Sequence, residues 1–483
     1  MRRFERNLLV VLLLASAVLS LSILTRGHLW WDDFASYIMQ ALSLLDGSPR
    51  LFIEHNSFTI QNSSFPPGPV AYPWGFPILL APVLALFGLK VLALKLVNTA
   101  FFLAFLGAFY ALARIRLAPA WSLALLAILA FNPALLQAHD LILSDIPFLF
   151  FSTLSVLLIE SGRERSTGTN AALIGLAIFV ASTMRTNGLL LLISLLVSQV
   201  LGFRKSTGTG RDWRILVLPW LVFAVLFVLQ SILLPNGQDS YWSHFSGLTV
   251  SSFFRNIWYY LRLPGDLFKD FPVFLGPVFL WLAGILFIFG LITNFRKNFA
   301  FLSYITATLA LFVTWPETQG LRFIYPILPL LLIMAAEGLQ TALERFSGTP
   351  AALVVRRTGS WSAVLLIIIS LAVSARLGWI NLRAGREING PFDPVSSDMF
   401  EYVREQTPPD SVIVFFKPRA MRLLSGRDSF LTQNCADLSK GDYVVIHEKQ
   451  GSNGQIADVE VCTGVSLSLV FNNQRFSIYK ISP

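Results

Sequence analysis

MRRFERNLLVVLLLASAVLSLSILTRGHLWWDDFASY, residues 1–37, runs from a basic head through an apolar stretch to a tryptophan pair and an acidic pair. Arg2, Arg3 and Arg6 precede the apolar run from Leu8 to about Leu24. A basic head and apolar core also open secretory signals. Here no small-x-small cleavage site followed by a soluble domain comes next, so the run reads as a retained first span. With its basic end cytoplasmic, that span delivers Trp30-Trp31-Asp32-Asp33 to the other face of a membrane.

The rest of the chain repeats this pattern. Runs of spanning length lie near 91–113, 118–138, 143–160, 171–185, 188–203, 213–234, 271–294, 298–315, 322–343 and 360–380, which makes eleven spans with the first. Hydrophobic residues make up 54% of the 483 and charged residues 13%, with a mean hydropathy of +0.63. A soluble domain carries roughly a quarter charged residues, so a single water-soluble globule is excluded. The 41 phenylalanines suit a lipid-facing surface. The excess of 37 Lys+Arg over 28 Asp+Glu falls mainly between apolar runs, where it signals topology and gives no reason to expect nucleic acid.

A further apolar stretch, 76–89, is short and proline-rich, and charge decides its status. With eleven spans, one face receives Arg114/Arg116, Arg163/Arg165, Arg204/Lys205/Arg211/Arg214, Arg296/Lys297 and Arg345/Arg356/Arg357. These are short basic loops, as the positive-inside rule requires. A twelfth span would turn every later basic loop outward. We therefore expect 76–89 to be interfacial or re-entrant within a large first external loop, 26–90. Trp30 and Trp31, Trp213, Trp315, Trp361 and Trp379 fall at span ends, as an aromatic belt does. The stretches 166–170 and 206–210 read as flexible turns, and no solenoid-type repeat is present.

After about residue 383 the composition becomes that of a soluble domain. Residues 394–406 have helical spacing, 411–416 and 443–447 read as buried strands, and 465–470 with 476–481 as a terminal hairpin. The expected architecture is a polytopic α-helical membrane domain, 1–383, followed by a small extracytoplasmic α/β domain, 384–483. Cys435 and Cys462 both lie in this tail. They either form one disulfide or remain two thiols, depending on the compartment.

Candidate chemistry gathers on the external face. Asp32 and Asp33 open a helix that stops near Gly47. Either carboxylate fits an N-cap, and either is also a competent base for a sugar hydroxyl. Neighbours on a helix project about 100° apart, so only one can face a shared pocket. The second external loop, His139-Asp140-Leu141-Ile142-Leu143-Ser144-Asp145-Ile146-Pro147, adds acidic groups. Ser144 suits an N-cap, with Asp145 and Pro147 in a first helical turn. Asp145 alternatively orients acceptor hydroxyls or holds a divalent cation.

Arg185 and Arg322 stand at external helix ends against the charge bias. They either snorkel to headgroups or clamp a phosphate. Arg255, Arg262 and Lys269 in the loop 235–270 are further cations on that face. Tyr72-Pro73-Trp74-Gly75-Phe76-Pro77 forms a rigid wall beside the acidic pair. The sequence contains no Walker loop, no GxGxxG entering a helix, no HExxH and no Gly-x-Ser-x-Gly.

The order of these features resembles the GT-C glycosyltransferases, nearest the bacterial relatives of protein O-mannosyltransferases and the lipid A aminoarabinose transferase. The elements concerned are an acidic pair after span one with an aromatic, Tyr37, soon after; the segment from Tyr72 to Pro77; Ser144-Asp145-Ile146-Pro147-Phe148; Arg185-Thr186-Asn187-Gly188; and Arg322-Phe323-Ile324-Tyr325-Pro326. Lys417-Pro418-Arg419-Ala420 through Ser425-Gly426-Arg427 is similar to external C-terminal segments of such members. The resemblance implies transfer of a monosaccharide from a polyprenyl-phosphate carrier to a glycan, lipid or protein acceptor. It places the work at the outer face of the membrane, and the basic loops and short turns on the cytoplasmic side point to a prokaryotic inner membrane.

By position, the resemblance makes the first-loop pair the source of the catalytic carboxylate, Asp32 favoured, with Asp145 as the second acidic group. Arg185 and Arg322 become contacts to the lipid phosphate. Tyr37, Tyr72, His139, Asp140, Arg255 and Arg262, on the same face, are expected as further substrate-binding residues. Where many members have Asp-Glu, this chain has Asp-Asp. Inversion by direct displacement is expected, with no cofactor beyond a potential divalent cation. A lipid-linked glycan transporter or flippase predicts charges in the middle of spans and repeated halves. A ligase using a diphosphate-linked glycan is the other alternative, and a non-catalytic scaffold with a sensing domain the last.

Overall fold

The computed structural model describes residues 3–163, 167–203, 213–235, 237, 248–272, 274–386, 388–448, 451, 453–459 and 461–482. Helix α1, Arg3–Ile23, is followed by α2 (Asp33–Leu45), α3 (Pro49–Asn62) and α4 (Gly75–Phe87), all three within the first loop. The helical domain continues with α5 (Val91–Arg116), α6 (Pro119–Ala130), α7 (Pro133–Ala138), α8 (Asp145–Gly162), α9 (Gly168–Met184), α10 (Leu191–Phe203) and α11 (Trp213–Leu233). It ends with α12 (Val250–Arg262), α13 (Leu275–Asn294), α14 (Phe299–Val313), α15 (Leu328–Arg345) and the 35-residue α16 (Pro350–Ala384).

Each of the eleven apolar runs contains an apolar helix. Among the described residues six are long and apolar enough to cross a membrane: α1, α5, α8, α11, α13 and α16. The others are shorter, except α15, which is as long as α8 but carries Glu337, Glu344 and Arg345, and one is broken where Asn132 caps α7 by accepting from Ala134 and Leu135 amides ahead of Pro133. Helix α4 has 13 residues with Pro82 inside. At 1.5 Å per residue it reaches about 20 Å, against a hydrocarbon thickness of about 30 Å. Arg165, Arg204, Lys205, Arg211 and the turn 206–210 lie outside the described residues.

Two expectations about charge and aromatics change. Arg116, read as a loop charge, turns inward and is buried, paired with Glu160 and, at 3.6 Å, with Glu337. This ion cluster lies at the end of the bundle where α1 begins, because Glu5 of α1 pairs with Arg114 at 2.8 Å. Trp213, Trp361 and Trp379 are exposed, as a lipid-facing belt requires. Trp30 instead packs into the C-terminal domain, with ring centroids 5.1 Å from Phe416 and 6.1 Å from Phe476.

That domain contains α17 (Pro394–Gln406), β1 (Val412–Val414), α18 (Pro418–Ser425), β2 (Asp428–Phe430), β3 (Tyr443–His447), β4 (Ser466–Asn472) and β5 (Phe476–Ser482). Among the described residues the strands form one sheet in the order β2-β1-β3-β5-β4. Strand β1 is parallel to β2 and β3, β3 is antiparallel to β5, and β4 and β5 make the expected hairpin. Helix α18 and strand β2 were not anticipated. Both are short, and their amphipathic stretch is interrupted by arginines at 419, 422 and 427. Cys435 and Cys462 form a disulfide, so the two-thiol alternative falls.

Candidate active site

Helix α2 starts at Asp33, with Asp32 in the cap position. Asp32 makes no side-chain cap hydrogen bond, which removes capping as its explanation. The two carboxylates diverge, as adjacent positions on a helix must. Asp33 accepts from the Tyr72 hydroxyl at 2.7 Å and from Arg322 Nη1 and Nη2 at 3.3 Å. Asp32 faces the C-terminal domain, where Arg419 Nε stands 3.8 Å from its Oδ2. The Ala420 backbone also acts on this carboxyl, and no side chain among the described residues completes a hydrogen bond to either Asp32 oxygen.

Burial pushes the Asp32 carboxyl up to about 6, against the opposing pull of Arg419 and Lys417. Burial acts on Asp33 in the same sense. There the Arg322 guanidinium, the Tyr72 hydroxyl and Arg419 prevail and hold its carboxyl below the ordinary range. The pair is thereby split into one readily protonated acid and one committed anion.

Asp145 opens α8, and Ser144, the residue before it, makes no cap. Ser144 instead hydrogen-bonds the Tyr37 hydroxyl at 2.8 Å, and the Tyr37 ring lies 4.6 Å from that of Tyr72. Asp145 pairs with Arg185. It also accepts from Arg322 Nε at 3.3 Å. Arg185 ends α9, which breaks there into a 3-10 turn, Thr186–Leu190. The turn folds so closely that a Cβ on Gly188 would come within 2.6 Å of the Ala181 and Ser182 backbone, so the Arg-Thr-Asn-Gly order serves the geometry. Arg322 sits in the short turn Gly320–Phe323 with its guanidinium 5.4 Å from the Trp31 ring centre.

The product is an alternating chain of charges, Asp33, Arg322, Asp145 and Arg185, drawn from four separate segments. Asp145 is 5% exposed and the other three 15–20%, so the network is accessible on one side. The Arg322 guanidinium occupies the space between the Asp33 and Asp145 carboxylates. Among the described residues no three His, Cys, Asp or Glu side chains cluster. With a guanidinium 3.3 Å from both carboxylates, this donor set does not fit a divalent cation.

Other expected site residues lie apart from this network. Asp140 is buried and bound to Lys95 Nζ at 2.7 Å, to the Thr25 amide at 2.8 Å and to the Thr25 hydroxyl at 2.7 Å. It ties the end of α1 to α5 and has no oxygen turned to the network. His139 is buried beside Phe102, with ring centroids 5.6 Å apart. Arg255, Arg262 and Lys269 are exposed. Arg262 covers Trp258 at 4.1 Å. Among the described residues no hydrogen bond or ion pair joins these three cations to the network.

Sequence reasoning missed Lys95 and Arg419. A lysine near the start of an otherwise apolar run was the available signal for the first. The Lys-Pro-Arg motif was the signal for the second.

No family model and no curated protein matches this chain. Solved structures do match in fold. ArnT from Cupriavidus metallidurans bound to undecaprenyl phosphate superposes with a TM-score of 0.60 at 14% identity, covering 97% of each chain. An oligosaccharyltransferase from Archaeoglobus fulgidus in the apo form gives 0.62 at 10% identity, over 97% of this chain and 73% of that one. This is the GT-C fold. AglB from the same archaeon, in complex with an inhibitory peptide and a dolichol-phosphate, gives 0.59 at 13% identity over 95% and 72%. In this chain the charge network is built from the loops after α1, α7 and α9 and the turn before α15, with the C-terminal domain packed against α2 and α3 through α18.

Proposed function

We propose that this chain is a glycosyltransferase that moves a sugar from a polyprenyl-phosphate carrier to a glycan, lipid or protein acceptor at the outer face of a prokaryotic inner membrane. The observation that carries the reading is the network of Asp33, Arg322, Asp145 and Arg185 on a GT-C fold. Structures of that fold are recorded with undecaprenyl phosphate and with a dolichol-phosphate. The disulfide in the C-terminal domain fits an oxidising compartment on the same side.

The donor brings a phosphodiester, an anion at the membrane interface. Arg322 and Arg185 are the cations positioned to receive it, and a guanidinium forks onto two oxygens. As Arg322 turns to the phosphate, Asp33 loses its cation and becomes the proton acceptor. The acceptor hydroxyl oxygen attacks the anomeric carbon, and the bond from that carbon to the phosphate oxygen breaks. The electron pair leaves with the polyprenyl phosphate, and the hydroxyl proton passes to Asp33. A single displacement inverts the anomeric centre. Arg322 and Arg185 stabilise the charge that grows on the leaving phosphate, while Asp145 holds both in place. Asp33 takes the base role here because it faces the arginines, whereas Asp32 faces Arg419.

The test is mass spectrometry of surface glycans and glycolipids from a strain lacking the protein, complemented at matched expression with wild type or Asp33→Asn. Loss of one sugar from a defined acceptor, restored by wild type alone, is the expected result. Full restoration by Asp33→Asn would remove the carboxylate from the chemistry.

A further inference from the structure

Arg419 is the only arginine among the described residues with a side chain fully closed to solvent, although it belongs to the C-terminal domain. Helix α18 lies across α2 and α3 and sends this side chain toward the site in the helical domain. Its Nε donates to Asn56 Oδ1 at 3.1 Å, and its Nη2 donates to the Pro69 carbonyl. The guanidinium carbon lies 5.6 Å from the centre of the Tyr72 ring. Asn56 in turn donates to the Val70 carbonyl. Gln40 of α2 brackets Tyr72, donating to its carbonyl at 2.9 Å and accepting from its amide at 3.1 Å.

The loop 65–72 thus closes around the guanidinium. Gly68, at φ +145°, passes so near that a Cβ there would stand 2.8 Å from the Tyr72 hydroxyl and 2.9 Å from Arg419 Nη1.

We propose that Arg419 is a positioning residue: its guanidinium holds the loop 65–72 so that the Tyr72 hydroxyl donates to Asp33. The catalytic consequence rests on the reading of Asp33 as base; the structural one does not. Plain adhesion between the domains would not select this group. Removing a guanidinium from water is costly, and apolar residues commonly do such packing better. Docking already has an apolar anchor in Trp30, seated among Phe400, Phe415, Phe416 and Phe476. A planar fork adds direction, with one edge on a side-chain amide, another on a backbone carbonyl and a face on an aromatic ring. The loop that carries Tyr72 therefore takes its working shape only when the C-terminal domain is in place.

Hydrogen–deuterium exchange of the full chain in lipid nanodiscs, without substrate, tests this. In Arg419→Ala the peptide 65–74 is expected to exchange about tenfold faster, as a local opening would, while peptides covering 394–406 and 443–447 keep wild-type protection. Gly68→Ala should loosen the same peptide with Arg419 intact. Arg419→Lys keeps the charge without the fork and should fail to restore the loop. Unchanged exchange at 65–74 in Arg419→Ala would overturn the proposal. So would loosening of the whole C-terminal domain, which would make Arg419 a docking residue only, and so would full rescue by lysine.

At matched expression Arg419→Ala should lower the sugar product at least tenfold; a wild-type product level beside a loosened loop would also sink the proposal. If wild type itself restores no glycan, the transferase reading fails while the exchange result stands.

Discussion

Arg322 serves two carboxylates at once: its Nη2 lies 3.3 Å from Oδ2 of Asp33 and 3.3 Å from Oδ2 of Asp145. A guanidinium can do this because its five donors lie in one plane with several edges. The arrangement keeps two anions together in the free protein and leaves a cation poised to be claimed by a stronger anion. Arg322→Ala should lower sugar transfer by about 10²–10³, the scale of losing one preorganised charge-stabilising donor. Arg322→Lys should recover only part, since an ammonium cannot fork. Initial rates with reconstituted protein and a polyprenyl-phosphate sugar decide this, and wild-type rates in Arg322→Ala would remove the phosphate clamp.

The two adjacent aspartates should separate cleanly in kinetics. Asp33→Asn removes the proton acceptor and should reduce transfer by about 10²–10⁴, with the protein still folded. Asp32→Asn acts through Arg419 and Lys417 of the C-terminal domain and should reduce transfer by less than about tenfold. The reverse ranking would return the base role to Asp32.

Asp32 also makes a stability prediction. Its carboxyl is raised from 3.8 to about 6 in the folded protein, so folding is penalised wherever that group must be ionised. Below about pH 4 it is protonated folded or unfolded and the penalty vanishes. Between pH 4 and 6 the penalty grows, and above 6 it is complete, at about 3 kcal/mol. Relative to Asp32→Asn, wild type should therefore lose thermal stability as pH rises from 4 to 7. Parallel unfolding midpoints for the two proteins across that range would refute the burial argument.

Much of this was legible in the chain because hydropathy and charge are one-dimensional signals. Eleven apolar runs, the soluble tail and the meeting of Asp145, Arg185 and Arg322 with the first-loop acids all follow from period and sidedness. Which aspartate joins the network was not legible, because it depends on the rotational phase at which α2 begins. The roles of Trp30 and Arg419 depend on how a domain some 350 residues later docks, and no local pattern encodes that. The tie of Asp140 to Lys95 was not legible, because the lysine is hidden within an apolar run.

Trp30 offers a test of docking apart from chemistry. It sits among Phe400, Phe415, Phe416 and Phe476, and its indole N–H donates to Asn389 at 3.3 Å. Trp30→Ala should cost about 1–3 kcal/mol at this half-buried position. Limited proteolysis should then cut between α16 and α17 faster, releasing the C-terminal domain while the helical domain stays intact. Unchanged cleavage would mean that other contacts hold the two together.

Lys95 and Asp140 form the clearest buried pair outside the network. Lys95 is closed to solvent and donates to the Thr25 carbonyl at 2.9 Å, the Thr25 hydroxyl at 2.8 Å, the Gly27 carbonyl at 2.7 Å and Asp140 at 2.7 Å. Removing the cation leaves the buried Asp140 carboxyl with only the Thr25 amide and hydroxyl donating to it, and Lys95→Met should cost about 3–5 kcal/mol. Removing the anion is milder, because three oxygen acceptors still surround the ammonium, so Asp140→Asn should cost less. The double variant should be more stable than the sum of the two losses, since no charge is then stranded. Thermal unfolding of the four proteins in one detergent measures the cycle. Additive losses would mean that the two residues act independently, and the tie between α1 and α5 would then rest on Thr25 and packing alone.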